Sequence, residues 1–103
     1  MCDLLYKVKT SLRISHTALD DDIMDTIAAC LDDLLVGGVR KEMLDTNREL
    51  SPLILTAVKL YCKAEYTDDP IKAARYKDGY ENLKATLTMA EGYGYEGEAV
   101  VDD

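Results

Sequence analysis

The chain has 103 residues, 48% of them hydrophobic, with seven Tyr and no Phe or Trp, a globular composition that suffices for one domain around a single modest core. The net charge of −8 argues against long-range attraction of a monomer to nucleic acid or to an anionic membrane. No apolar run approaches the roughly 20 residues that span a bilayer, and Cys2, Cys30 and Cys62 form no Cys-x-x-Cys that would indicate a metal or redox site.

The N-terminus lacks a basic region followed by an apolar one, so no signal peptide is expected, and the expected compartment is a cytoplasm. Residues 3–13 read as a first helix. Leu4, Leu5, Val8 and Leu12 form its apolar stripe, and Lys7, Lys9 and Arg13 its wet side. Asp3 suits the positive end of the helix dipole and Arg13 the negative end. A polar connection follows, in which Ser15, His16 and Thr17 compete with the helical backbone for hydrogen bonds while Ile14 and Leu19 turn inward. His16 is the one histidine, and no nucleophile motif accompanies it.

Residues 20–36 read as a second helix. Asp20, Asp21 and Asp22 offer an N-cap and load the first turn with charge of the favoured sign. Ile23, Ile27, Cys30, Leu31 and Leu34 form its stripe, with Met24, Ala28 and Leu35 beside it. The Asp cluster lacks the alternating ligands and glycine turn of a calcium loop, so capping explains it better. Gly37-Gly38 ends the helix. The link 37–50 is polar and mixed in charge, with room for one helical turn around Glu42–Leu44. A connection this long in so small a domain is often a contact surface.

Ser51-Pro52 is a cap-then-proline start, and residues 51–66 form the third helix. Leu53, Ala57, Leu60, Tyr61 and Ala64 share one face, which Ile54 and Val58 widen toward burial on two sides. Cys30 and Cys62 fall in apolar helical stretches, where a thiol acts as a small hydrophobe. Asp69-Pro70 repeats the start signal for a fourth helix over 70–90. Tyr76, Tyr80, Leu83, Leu87 and Ala90 give it a seam spaced like the core-facing stripe of a helical hairpin. Gly79 weakens that helix. The tail 91–103 is rich in glycine and holds five acids and no base. It is expected to take up order only against other chains, with Tyr93, Tyr95, Val100 and Val101 as anchors. Residues 20–36 hold six further acids without a base, and the remainder of the chain 12 bases against 9 acids. The body is therefore mildly basic, with one acidic helix and an acidic tail.

Two stretches in order, Lys9-Thr10-Ser11-Leu12-Arg13-Ile14 before Asp20-Asp21-Asp22-Ile23, and Pro52-Leu53-Ile54-Leu55-Thr56-Ala57-Val58-Lys59-Leu60-Tyr61 before Asp69-Pro70 and Tyr80-Glu81-Asn82-Leu83-Lys84, carry a resemblance. Over about residues 4–90 the chain resembles the head–tail connector (adaptor) proteins of long-tailed bacteriophages. The resemblance implies an all-α, four-helix, non-enzymatic structural protein without a cofactor. It implies a ring near twelve-fold on the portal protein, which extends the DNA channel and docks the next head-completion, stopper or tail protein. The expected location is the virion neck, with the host bacterial cytoplasm during assembly. DNA would pass without specific binding, since a net negative lumen neutralises few phosphates. Residues 1–90 would be the connector domain. Arg40, Lys41, Met43, Leu44 and Arg48 in the link, with Tyr93, Tyr95, Val100 and Val101 in the tail, are the expected contacts with neighbouring subunits or the portal. The alternative is an acidic regulatory or inhibitory module that binds a basic protein. A small enzyme and a DNA-binding domain are argued against by the lack of a site and by the sign of the charge.

Overall fold

The computed structural model describes residues 2–89, with side chains from Asp3 onward. The protein is all-α. Helix α1 runs Cys2–Leu12, α2 Asp20–Val36, α3 Pro52–Tyr66 and α4 Pro70–Met89, with a 3-10 turn at Lys41–Leu44 in the link. Ala90 and the tail anchors Tyr93, Tyr95, Val100 and Val101 lie outside the described residues.

Local signals set most helix ends. The Ser51 hydroxyl accepts from the Ile54 N–H at 3.4 Å, and Pro52 occupies the first turn, where its missing N–H costs nothing. Asp69 caps α4, with its Oδ1 accepting from the Ile71 N–H at 2.9 Å and the Lys72 N–H at 3.4 Å. The start of α2 differs from expectation. Its N-cap is Leu19, and Asp20, Asp21 and Asp22 all sit inside the first turn. They stabilise the helix through its dipole rather than by capping. Asp20 is drawn instead to α1, where Lys9 Nζ lies 2.7 Å from its Oδ1.

Helices α1 and α2 end alike. At the end of α2 the Val39 N–H donates to the Leu34 carbonyl at 3.0 Å and the Gly38 N–H to the Leu35 carbonyl at 3.1 Å. Gly38 has φ 114, and Leu34 and Val39 are both fully buried. This is a Schellman closure with its hydrophobic contact. At the end of α1 the Ile14 N–H reaches the Lys9 carbonyl at 3.0 Å and the Arg13 N–H the Thr10 carbonyl at 3.1 Å. There the left-handed position belongs to Arg13, at φ 62, so α1 stops one residue short of the expected end. Gly38→Ala is expected to lower stability by about 1–2 kcal/mol, the strain of a Cβ at positive φ, read as a lower urea midpoint with an unchanged slope.

The core is one cluster. Leu4 and Val8 of α1, Ile23, Ile27, Cys30 and Leu34 of α2, Ile54, Ala57, Val58 and Cys62 of α3, and Tyr80 and Leu87 of α4 are buried, with Val39 and Leu50 anchoring the link. Each large aliphatic chain among them contributes about 1.5–3 kcal/mol of apolar burial. The α4 seam is as expected at Tyr80, Leu83 and Leu87, whereas Tyr76 is half-buried outside the core cluster, under Lys63 of α3. The α3 face is not as expected. Ile54, Ala57, Val58 and Cys62 are its buried line, Leu60 and Tyr61 are half-buried, and Leu53 is 44% exposed. The reason is that α3 packs against α1, α2 and α4 together. Its deepest line therefore runs between its partners, and Leu60 and Tyr61 flank it toward α4. Ala28, expected beside the α2 stripe, is exposed. Gly79 of α4 faces Leu60 of α3, and a Cβ there would make ordinary contact with Leu60 Cδ1 at 3.5 Å.

Candidate functional site

A polar clamp ties the two halves of the bundle together. Tyr80 and Lys84 are one turn apart on α4, and both reach Asp33 on α2. The Tyr80 hydroxyl donates to Asp33 Oδ2 at 2.6 Å and Lys84 Nζ to the same oxygen at 3.0 Å. Lys84 passes over Gly37, where a Cβ would stand 3.5 Å from its Cδ and Cε. It also lies 3.6 Å from Glu81 Oε1. The Tyr80 ring meets Tyr61 of α3 edge-on, with centroids 5.1 Å apart. Lys63 of α3 sits 5.7 Å over the Tyr76 ring. Burial first, then the bond to Asp33, pushes the Tyr80 hydroxyl up, so it stays protonated and donates. Partial burial acts to raise the Asp33 carboxyl, but the bonds from Tyr80 and Lys84 outweigh it and hold the group below its ordinary 3.8. Burial pushes the Cys30 and Cys62 thiols up to about 12, so both are inert packing groups.

The link folds back on its own body. Met43 and Leu44 pack partly buried against the core. Arg40 pairs with Glu42 at 3.6 Å. Asp45 organises the next turn, accepting from the Asn47 N–H at 2.9 Å through its side chain and from the Arg48 N–H at 3.2 Å through its carbonyl. Lys41, Arg48 and Glu49 face outward. One groove of about 560 Å³ lies between the start of α1 and the end of the link, with Lys7 and Glu49 3.9 Å apart beside it. Another of about 620 Å³ lies between Leu31 and Leu35 of α2 and the 3-10 turn.

The exposed faces are unlike in charge. Asp21, Asp22, Asp25 and Asp32 line the outside of α2, with Ala28, Ala29 and an 86% exposed Val36 among them. Helical spacing puts Asp21, Asp25 and Asp32 on one stripe. Lys72, Arg75 and Lys77 are exposed on α4, interleaved with Asp78 and Glu81. At the end of α1 a third groove of about 570 Å³ is walled by Leu5, Tyr6, Lys9, Arg13 and Ile14. His16 is exposed on the α1–α2 loop. Among the described residues no three His, Cys, Asp or Glu side chains gather as metal ligands, and no helix is long and apolar enough to cross a membrane.

Among the described residues, charge and apolar surface are spread over several faces of the helical bundle. The family model described as phage connector protein matches residues 4–94, and the chain belongs to that family. Its role is thereby a structural one in connecting phage head and tail. No curated protein and no solved structure matches the chain. The sequence reading missed the clamp and the α1 groove. Tyr80 and Lys84 at a four-residue step were visible as one helix face, but nothing in the sequence pairs them with Asp33.

Proposed function

We propose that the protein assembles as a ring near twelve-fold on the portal, extends the DNA channel and docks the next head-completion, stopper or tail protein. It works in the virion neck and is assembled in the host bacterial cytoplasm. The observation that carries this reading is the family match over residues 4–94. A ring requires a heterologous interface, in which two different faces of each subunit meet. The acidic outer face of α2 and the base-bearing face of α4, with Lys72, Arg75 and Lys77, supply such a pair. Residues 1–90 act as the connector domain, and 91–103 take order from other chains through Tyr93, Tyr95, Val100 and Val101. Lys41 and Arg48, exposed on the link, reach a neighbouring subunit or the portal. Arg40, Met43 and Leu44 hold the link in the shape that presents them. At −8 per subunit few DNA phosphates are neutralised, so DNA passes without being held.

Native mass spectrometry of the protein alone and mixed with its portal ring tests the proposal. A species of about a dozen subunits, free or only on the portal, is the expected result. A monomer or dimer that ignores the portal and captures a basic protein would overturn it in favour of an acidic inhibitory module.

A further inference from the structure

We propose that the groove at the end of α1 receives the acidic, tyrosine-bearing segment 90–103 of a neighbouring copy of the chain. The proposal rests on the ring reading above. Its first support is chemical fit. The groove is walled by apolar surface, with Tyr6 71% exposed and Leu5 and Ile14 half-buried, and by two bases, Lys9 and Arg13. No carboxylate is in that wall, whereas the other grooves among the described residues have Asp3 and Glu49, Asp32, Glu42 and Asp45, or Asp33, Glu65 and Glu81 in theirs. Lys9 is already paired with Asp20, and Arg13 makes no ion pair among the described residues. Arg13 is thus the charge left for an occupant. Segment 90–103 has the matching composition: Glu91, Glu96 and Glu98 set among Tyr93, Tyr95, Val100 and Val101.

The second support is backbone strain. Arg13 holds φ 62 in a closure where glycine would be unstrained, yet its side chain is exposed and adds nothing to the core. Strain retained at an exposed position points to a use for the side chain. The ring reading makes the occupant the segment of a neighbouring copy, since a heterologous contact joins one surface of a subunit to a different surface of the next.

The test uses full-length chains in three forms: Arg13→Glu, the tail variant Glu96→Lys with Glu98→Lys, and all three changes together. Ring formation on the portal is read by native mass spectrometry. Each single-sided variant is expected to assemble at least about fivefold more weakly, a shift that shrinks as salt rises. Mixed one to one, the two are expected to recover assembly, because each reversed groove then meets a reversed tail from the other chain. Recovery in the triple variant but not in the mixture would mean that the tail folds onto its own chain, and would overturn the proposal. Unchanged rings in both single-sided variants would overturn it while leaving the ring reading intact. Absence of rings in the unaltered protein would instead defeat that reading. Arg13→Gly separates folding from docking: it is expected to raise the melting temperature by relieving the backbone while weakening assembly, and a gain in both would also overturn the proposal.

Discussion

Replacing Tyr80 by alanine is expected to cost about 3–5 kcal/mol, a large share of the roughly 5–15 kcal/mol that holds a small domain folded. The side chain is 2% exposed and stands between three elements. Its ring packs edge-on against Tyr61 of α3, its hydroxyl lies beside Cys30 of α2, and its O–H bond to Asp33 crosses from α4 to α2 at 2.6 Å. Alanine removes the aromatic volume and leaves a cavity where α2, α3 and α4 meet. Tyr80→Phe keeps the ring and deletes only the donor. It is expected to cost about 1–3 kcal/mol, since Asp33 then keeps Lys84 alone. Urea unfolding of the two variants beside the parent separates packing from hydrogen bonding. Equal losses for both would show that the ring adds nothing.

The same clamp gives stability a pH profile. The Asp33 carboxyl is held below its ordinary 3.8 in the folded chain, so its contribution is complete above that value and is lost as pH falls through the folded one. Lys84 is raised above 10.5, chiefly by its bond to Asp33, so its contribution is complete below 10.5 and is lost as pH rises through the folded value. The parent should therefore keep its full clamp between about pH 4 and pH 10. Asp33→Asn should flatten the acid limb. An acid limb of unchanged steepness in that variant would remove Asp33 as its cause.

The second large effect concerns assembly. Asp25→Lys combined with Asp32→Lys reverses charge on the exposed stripe of α2 without touching its buried line of Ile23, Ile27, Cys30 and Leu34. The melting temperature should stay within a few degrees of the parent, since exposed pairs away from the core carry little stability. Ring formation on the portal should weaken by on the order of 100-fold per interface, because like charges brought together at an interface cost several kcal/mol. Reversing Lys72 and Arg75 to Glu in a second chain should restore rings in the mixture. Rings of normal yield from the Asp25→Lys, Asp32→Lys chain would show that α2 faces solvent or the lumen rather than a neighbour. The interface would then have to be sought at the link, around Lys41 and Arg48.

By itself the sequence determined most of the helix starts and stops and how charge is shared among the helices, because those features depend on residues a few positions apart. Ser51-Pro52 and Asp69-Pro70 act on N–H groups within their own first turn, and Gly38 closes α2 on its own last carbonyls. The resemblance to connector proteins was legible for the same reason, being an order of such local pieces. Only the tertiary structure decided which line of α3 is deepest. Periodicity identifies an apolar face but not its centre when three helices press on it, and the buried line passed to Ile54, Val58 and Cys62. It also placed Asp33 against Tyr80 and Lys84, 47 and 51 positions away, a pairing set by how α4 lies over Gly37. It put Asp20 on Lys9 instead of at the α2 cap. It gave Arg13 a left-handed backbone that no residue pattern announces, in a helix closure that glycine ordinarily fills.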